Sequence, residues 1–282
     1  MRVPSFSLEV FPTKPEAGID SIFSTVEQLQ SVKPDYVSVT FGTGKSSDLR
    51  RTADVCNKIH ERFEVPTIAH LTGLYLSKDE ADIVLQAYQN AGVQGVLVLR
   101  GDKVEGREVA NVFHHASDLA QYIHDNYPQF DLYGACYPQK HPDAESLDSD
   151  IDNLQYKIDA GVSRLITQLF FDNDDYERFA EKVRAKGIDL PIDIGIMPVS
   201  NAGQIRRMTS LCSATIPKSL QRIMSKWEHD PDSLRKAGFM YVCEQISELV
   251  AMDVSGIHLY TLNQPEVTKH IWQTVQPLFA QV

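Results

Sequence analysis

The chain has 282 residues, 43% of them hydrophobic and 23% charged; this is ordinary globular composition, which excludes a disordered chain and offers no long uncharged run for a membrane span. With 27 basic against 38 acidic residues the formal charge is −11, so the surface as a whole repels phosphate backbones and nucleic acid is not an expected partner. The opening MRVPSFSLEVFPTK enters a strand pattern at once, without a signal-peptide core, and reads as the start of a cytoplasmic protein. Cys56, Cys136, Cys212 and Cys243 are dispersed singly, without zinc or disulfide spacing, and are expected as reduced, mostly buried thiols.

Taken in chain order, the pattern predicts a strand at Phe6–Phe11, a helix at Ile19–Val32 stopping before Pro34, a strand at Tyr36–Phe41 and a helix at Asp48–Phe63. A strand follows at Thr67–Leu71, then a helix at Ser77–Ala91 that opens with a Ser77/Glu80 capping box and stops at Gly92. Further strands are expected at Gly95–Leu99, Leu132–Cys136, Arg164–Phe170, Ile192–Met197 and Ile257–Leu262. The longest gap, Pro198 to Gly256, has room for extra helices, one of them a long amphipathic helix at Leu234–Met252. Alternating strands and helices demand right-handed parallel crossovers, and eight strands in this length fit a (β/α)₈ TIM barrel. The open doubly wound sheet is the alternative, but no G-x-G-x-x-G follows an early strand. No linker, repeat or low-complexity tract divides the chain, so residues 1–282 are expected as a single domain.

In a barrel the chemistry sits where strands end in their C-terminal direction. Polar residues are frequent there: Glu9 within strand one, Thr40 ending strand two, His70 ending strand three, and Asp102 after strand four. Tyr137 and His141 follow strand five, and Gln168 lies within strand six. Charged or amide groups inside strands are costly unless satisfied, so a buried structural hydrogen bond is the plain alternative to a functional role for each. Two chemistries fit. Glu9, His70, Asp102 and His141 are metal-ligand types, although no H-x-H or H-E-x-x-H pair fixes two of them. Thr40, Tyr137, Gln168 and the apolar Leu169–Phe171 wall better suit an organic cofactor needing spread hydrogen bonds and flat walls.

The segments SLEVFPTK, YVSVTFGTG, TIAHLTG, VLRGD, YPQKHPDA, DIDNLQYKIDAGVSRLITQLFFD, GIMPVSN and LYTLNQ run in order from Ser7 to Gln264. In this combination the sequence resembles the 5,10-methylenetetrahydrofolate reductase family. The resemblance implies a flavin barrel in which NADH or NADPH passes hydride to FAD and reduced FAD passes it to methylenetetrahydrofolate. It implies Glu9 as the acid that assists opening of the folate ring, Asp102 beside flavin and pterin, and Gln168 as the pterin-binding amide. It implies FAD contacts from Thr40, His70, Leu99, Arg100, Gly101, Asp102, Ala135, Tyr137, His141, Asp150, Asn153 and Lys157. The last three share one face of a predicted helix; without the motif they would read as a solvated face. A homo-oligomer is expected, as is insensitivity to S-adenosylmethionine, since longer relatives carry a further regulatory domain.

Three positions depart from the family pattern. Met208 stands where relatives often carry an aromatic residue after PVSN, Gln264 where an arginine commonly follows YTLN, and His115 where a tyrosine often meets the dinucleotide. Two alternatives stand beside this reading: a different flavin barrel oxidoreductase, such as one acting on a cyclic amine, and a flavin-binding accessory subunit without its own nicotinamide oxidation, which the Met208 and Gln264 departures keep open.

Overall fold

The computed structural model describes residues 3–12, 20–41 and 49–280. Eight parallel strands are hydrogen-bonded in chain order as a closed barrel, which is the expected (β/α)₈ architecture. The strands are β1 Ser5–Val10, β2 Val37–Val39, β3 Thr67–Thr72, β4 Gly95–Leu99, β5 Asp131–Cys136, β6 Val162–Thr167, β7 Ile192–Ile196 and β8 Gly256–Tyr260. Between and after them run α1 Asp20–Leu29, α2 Arg51–Phe63, α3 Lys78–Asn90, α4 Ala116–Asn126, α5 Leu147–Asp159, α6 Asn173–Ala185, α7 Ala202–Cys212, α8 Lys218–Lys226, α9 Pro231–Ala251 and α10 Pro265–Val275. The proposed helix starts at Ile19 and Asp48 lie outside the described residues.

The polypeptide divides into two compact units. One comprises Ser7–Ala135 with Gln155–Leu165; the other comprises the chain up to Phe6, Cys136–Leu154 and everything from Ile166. In the first, β1 to β5 pair in sequence, with Glu9 opposite Ser38, Ser38 opposite Ile68 and His70 opposite Leu97. Leu8, Val10, Val39, Ile68, Leu71, Val96 and Val98 are buried along these strands, because a parallel sheet is covered on both faces and its strands read as apolar runs. Fully burying one such side chain is worth roughly 1.5–3 kcal/mol. Helix α3 starts as expected: the Ser77 hydroxyl accepts from Glu80 N at 3.2 Å and the Glu80 carboxylate accepts from Ser77 N at 2.9 Å.

In the second unit β7 pairs with β8, Asp193 opposite Gly256 and Gly195 opposite His258. The long gap holds α7, α8 and α9, as its length suggested. Asp230 caps α9, its side chain accepting from Ser233 N, with Pro231 at the first position. Leu234, Ala237, Gly238, Val242, Gln245, Ile246 and Leu249 form its buried stripe, at helical spacing.

Six strand ends differ from the sequence pattern: β1, β7 and β8 stop at Val10, Ile196 and Tyr260 rather than at Phe11, Met197 and Leu262, and β2, β3 and β6 differ as follows. β2 stops at Val39, so Thr40 follows it: Thr40 N still donates to Val10 O at 3.0 Å, but Thr40 O takes the Thr52 hydroxyl at 3.1 Å. β3 continues past His70, since Leu71 and Thr72 pair with Val98 and Leu99. β6 stops at Thr167, leaving Gln168 to Phe170 outside the strand. Leu169–Phe171 is buried as a strand would be, yet two of its carbonyls are taken by helix side chains, Phe170 O by Gln245 Nε2 at 3.2 Å and Phe171 O by the Tyr241 hydroxyl. Cys56 and Cys136 are buried, as expected of the thiols, while Cys212 and Cys243 are only half-buried.

Candidate functional site

In the first unit, the penultimate residue of β1 and the fourth of β3 bring Glu9 Oε2 within 3.6 Å of His70 Nε2. The His70 side chain is 7% exposed and that of Glu9 21%. Burial pushes the Glu9 carboxyl up to about 8: desolvation penalises the charged form even though part of the side-chain surface remains open. At neutral pH Glu9 therefore holds its proton. The backbone at His70 is fixed from outside the sheet, where the fully buried Tyr88 of α3 donates its hydroxyl to His70 O at 2.7 Å. Sequence reasoning passed over Tyr88. Its place in the apolar stripe with Ala81, Val84 and Leu85 was the available signal, since a buried tyrosine hydroxyl requires a partner.

The strand ends that follow are tied in the same manner. Leu99, the last residue of β4, accepts from Gly73 N at 3.0 Å, and Arg100 O accepts from Leu74 N at 2.9 Å. Arg100 is half-buried, with Nε 3.4 Å from Gly101 O. Gly101 has φ +89° and a Cβ there would lie 3.0 Å from Thr72 Cβ, so only glycine leaves the chain free to turn and lets a ligand approach the backbone. Asp102 follows on the exposed surface. Lys157, on α5, reaches Ala135 O at 2.6 Å.

In the second unit, Tyr137 and His141 form an edge-to-face ring pair with centroids 4.8 Å apart. Asp150 of α5 accepts from His141 N at 2.7 Å, which closes the loop after β5. Gln139 in the same loop donates to Asp175 and Thr215, and its Oε1 accepts from Thr215 N at 2.9 Å. Gln168 is half-buried, its Oε1 accepting from Leu169 N at 2.8 Å, a local bond of the kind that competes with a strand ladder. Asn153 is exposed on α5.

The structure thus joins Glu9 to His70, Tyr137 to His141, His141 to Asp150 and Ala135 to Lys157. Asp150 and Lys157 act on backbone groups, an arrangement that helical spacing alone did not disclose. Thr40, Leu99, Arg100 and Gly101 lie at strand ends, and Asp102 and Asn153 on exposed surface. Of the departing positions, His115 is the N-terminal cap of α4, with Asp118 Oδ2 accepting from its N–H at 2.9 Å. Met208 is half-buried on α7, and Gln264 precedes α10, its carbonyl accepting the Thr268 hydroxyl at 3.1 Å. Asn201 of the PVSN segment caps α7, its side chain accepting from Gln204 N at 2.9 Å. Among the described residues no group of three or more His, Cys, Asp or Glu is placed to hold a metal ion, and no helix is long and apolar enough to cross a membrane.

The family model described as methylenetetrahydrofolate reductase matches residues 2–276. The chain is 33% identical over 269 residues to the 5,10-methylenetetrahydrofolate reductase of Pectobacterium carotovorum, covering 95% of this chain and 89% of that protein. It is 33% identical over 274 residues to methylenetetrahydrofolate reductase (NADH) 1 of Arabidopsis thaliana, covering 92% of this chain but 46% of that one. Among solved structures, an uncharacterized Clostridium thermocellum protein that binds two copies of 5-methyl-5,6,7,8-tetrahydrofolic acid matches with a TM-score of 0.62 at 14% identity, covering 99% of this chain and 96% of that one. At that identity the likeness carries the fold.

Proposed function

The chain belongs to the methylenetetrahydrofolate reductase family, and on that premise we propose that residues 1–282 act as one catalytic domain, reducing 5,10-methylenetetrahydrofolate to 5-methyltetrahydrofolate with reduced nicotinamide through FAD. The name of the Arabidopsis relative specifies NADH, which supports NADH as the donor here. The observation that carries the reading is the half-buried Glu9 carboxyl in β1, 3.6 Å from His70 and raised to about 8 by desolvation.

A flavin dinucleotide requires cations or backbone donors for its diphosphate and flat walls for its ring. The donor set fits those needs. Arg100 and Lys157 supply positive charge, Gly101 an approachable backbone, His70, Tyr137 and His141 ring faces, and Thr40 a hydroxyl. Leu99, Asp102, Ala135, Asp150 and Asn153 complete the proposed FAD contacts. Bound FAD supplies the two-electron carrier that lets two substrates exchange hydride in turn.

The protein's part is binding and proton control. Glu9 gives its proton to the folate nitrogen that departs as the five-membered ring opens, a step that needs an acid near neutral pH. His70 lies against that carboxyl and helps hold it. Asp102 contributes negative charge that favours the folate cation formed by ring opening. Gln168 offers amide hydrogen bonds to the pterin. Asp150 and Lys157 also fix the chain at His141 and Ala135.

The test is anaerobic mixing of the purified, yellow protein with NADH or NADPH, followed by methylenetetrahydrofolate. Flavin bleaching by NADH, then recovery of colour with the folate, is the expected result. Bleaching without recovery points to a different flavin barrel oxidoreductase, such as one acting on a cyclic amine, and no bleaching by either nicotinamide points to an accessory subunit.

A further inference from the structure

We infer that Tyr260 is a positioning residue for Gln168, acting on it through one clamped peptide group. The inference rests on the proposed role of Gln168 in folate binding.

Tyr260 is the last residue of β8, and its hydroxyl donates to the carbonyl of Thr167, the last residue of β6, at 2.7 Å. β7 lies between those two strands in the barrel order. The phenol can cross it because β7 carries glycine at the crossing point: a Cβ on Gly195 would lie 2.4 Å from the Tyr260 hydroxyl and 2.3 Å from Thr167 O. Both distances are far below van der Waals contact, so a side chain at 195 and the Tyr260 bond exclude each other. Gly195 also uses its N–H, which donates to the Thr167 hydroxyl at 2.9 Å. Thr167 is 1% exposed, so these bonds exchange little with water and breaking one leaves a buried group unsatisfied.

The carbonyl that Tyr260 holds belongs to the peptide linking Thr167 to Gln168. The other end of that same peptide, Gln168 N–H, donates to Cys136 O at 2.7 Å. The peptide plane is therefore gripped from both sides, which fixes the direction in which the Gln168 side chain leaves the backbone. Beyond that point the side chain is tethered to its own neighbour, Leu169 N, a bond it can give up to a ligand without moving the chain. A rigid base with an exchangeable tip lets an amide turn to a ligand while the chain stays in place. Without the Tyr260 hydroxyl, the Thr167 carbonyl would seek another donor and the plane would tilt.

The experiment is a double-mutant cycle on Tyr260→Phe and Gln168→Ala. It is read by calorimetric affinity for 5-methyltetrahydrofolate, and by KM and kcat for methylenetetrahydrofolate and for NADH. One net hydrogen bond corresponds to roughly a 3–10-fold change. Tyr260→Phe is expected to weaken folate affinity and raise folate KM by about that factor, with the rate of flavin reduction by NADH preserved. In the Gln168→Ala background the same substitution should have almost no further effect on folate. If Gln168→Ala leaves folate affinity unchanged, the reading of Gln168 is wrong. If Gln168→Ala weakens folate and Tyr260→Phe either does not, or does so by an equal factor in both backgrounds, the positioning role is wrong. Should Tyr260→Phe fail to fold, hydrogen exchange in the unmodified protein decides: a slowly exchanging Tyr260 hydroxyl proton is expected, and one that exchanges as fast as an exposed tyrosine hydroxyl overturns the clamp.

Discussion

Glu9 on β1 and His258 on β8 are both ionisable groups inside barrel strands, and burial keeps both neutral, raising Glu9 to about 8 and lowering His258 to about 3. Their surroundings differ. His258 is completely buried, edge-on to Tyr260 with ring centroids 5.8 Å apart, and no substrate proton can reach it. Glu9 keeps 21% of its side chain open and has His70 beside it. The same physical cause thus yields a sealed group that can affect only stability and an accessible one that can exchange a proton with a ligand. A perturbed pKa marks a candidate for chemistry only where geometry also gives access.

The largest effect that separates the two is expected from Glu9→Gln, which keeps the shape and removes the acid. Folate reduction should fall by about 10²–10⁴-fold, the usual contribution of a general acid, while NADH still bleaches the flavin. Stopped-flow measurement of each half-reaction checks this; an equal fall in both would make Glu9 structural, like His258.

Next in size is the response of stability to pH. Folded His258 binds fewer protons than its unfolded counterpart between pH 3 and its ordinary 6.5, so its contribution is intact above 6.5 and lost as pH falls through that window. At about pH 4 the loss amounts to roughly 3 kcal/mol. Glu9 has the opposite sign: the folded state binds more protons between its ordinary 4.5 and 8, so its contribution is present below 4.5 and lost as pH rises toward 8. Urea denaturation at several pH values should show His258→Leu flattening the acid side and Glu9→Gln the neutral side. Unchanged slopes in both variants would mean that neither group is held as described.

A smaller effect, about tenfold or less for an exposed charge, is expected from Asp102→Asn. It should slow folate reduction and raise the flavin potential, both measurable by dye-coupled titration and single turnover. No change in either would remove Asp102 from the neighbourhood of the reacting groups. The smallest is Ser77→Ala, which removes the cap of α3. It should cost about 1 kcal/mol in denaturation and leave both half-reactions unaltered; altered kinetics would show that α3 and Tyr88 transmit strain to His70.

Much of this was legible in the sequence, for reasons that differ by element. The α3 box at Ser77 and Glu80 is a local hydrogen-bond pattern and was read to the residue. The buried parallel strands declared themselves as β-branched runs, and Glu9 stood out as a carboxyl within one. What local pattern could not disclose is which partner a buried carbonyl takes. The Leu169–Phe171 run looks like a strand by composition, but Gln245 and Tyr241, more than 65 residues later in sequence, take two of its carbonyls, and the strand ends at Thr167. The same holds for Tyr260, whose reach over Gly195 depends on three strands placed side by side. Asp150 and Lys157 were legible as one helix face, not as anchors of the His141 and Ala135 backbone.

The most direct test of Glu9 as the proton source is the pH profile of the two half-reactions in the unmodified protein, followed by flavin absorbance under anaerobic conditions. Reduction by NADH should stay nearly flat through pH 8, while reoxidation by methylenetetrahydrofolate should hold its rate below pH 8 and fall tenfold per pH unit above it as Glu9 loses its proton. A folate step as flat as the nicotinamide step, or one that quickens as pH rises, would contradict the role assigned to Glu9.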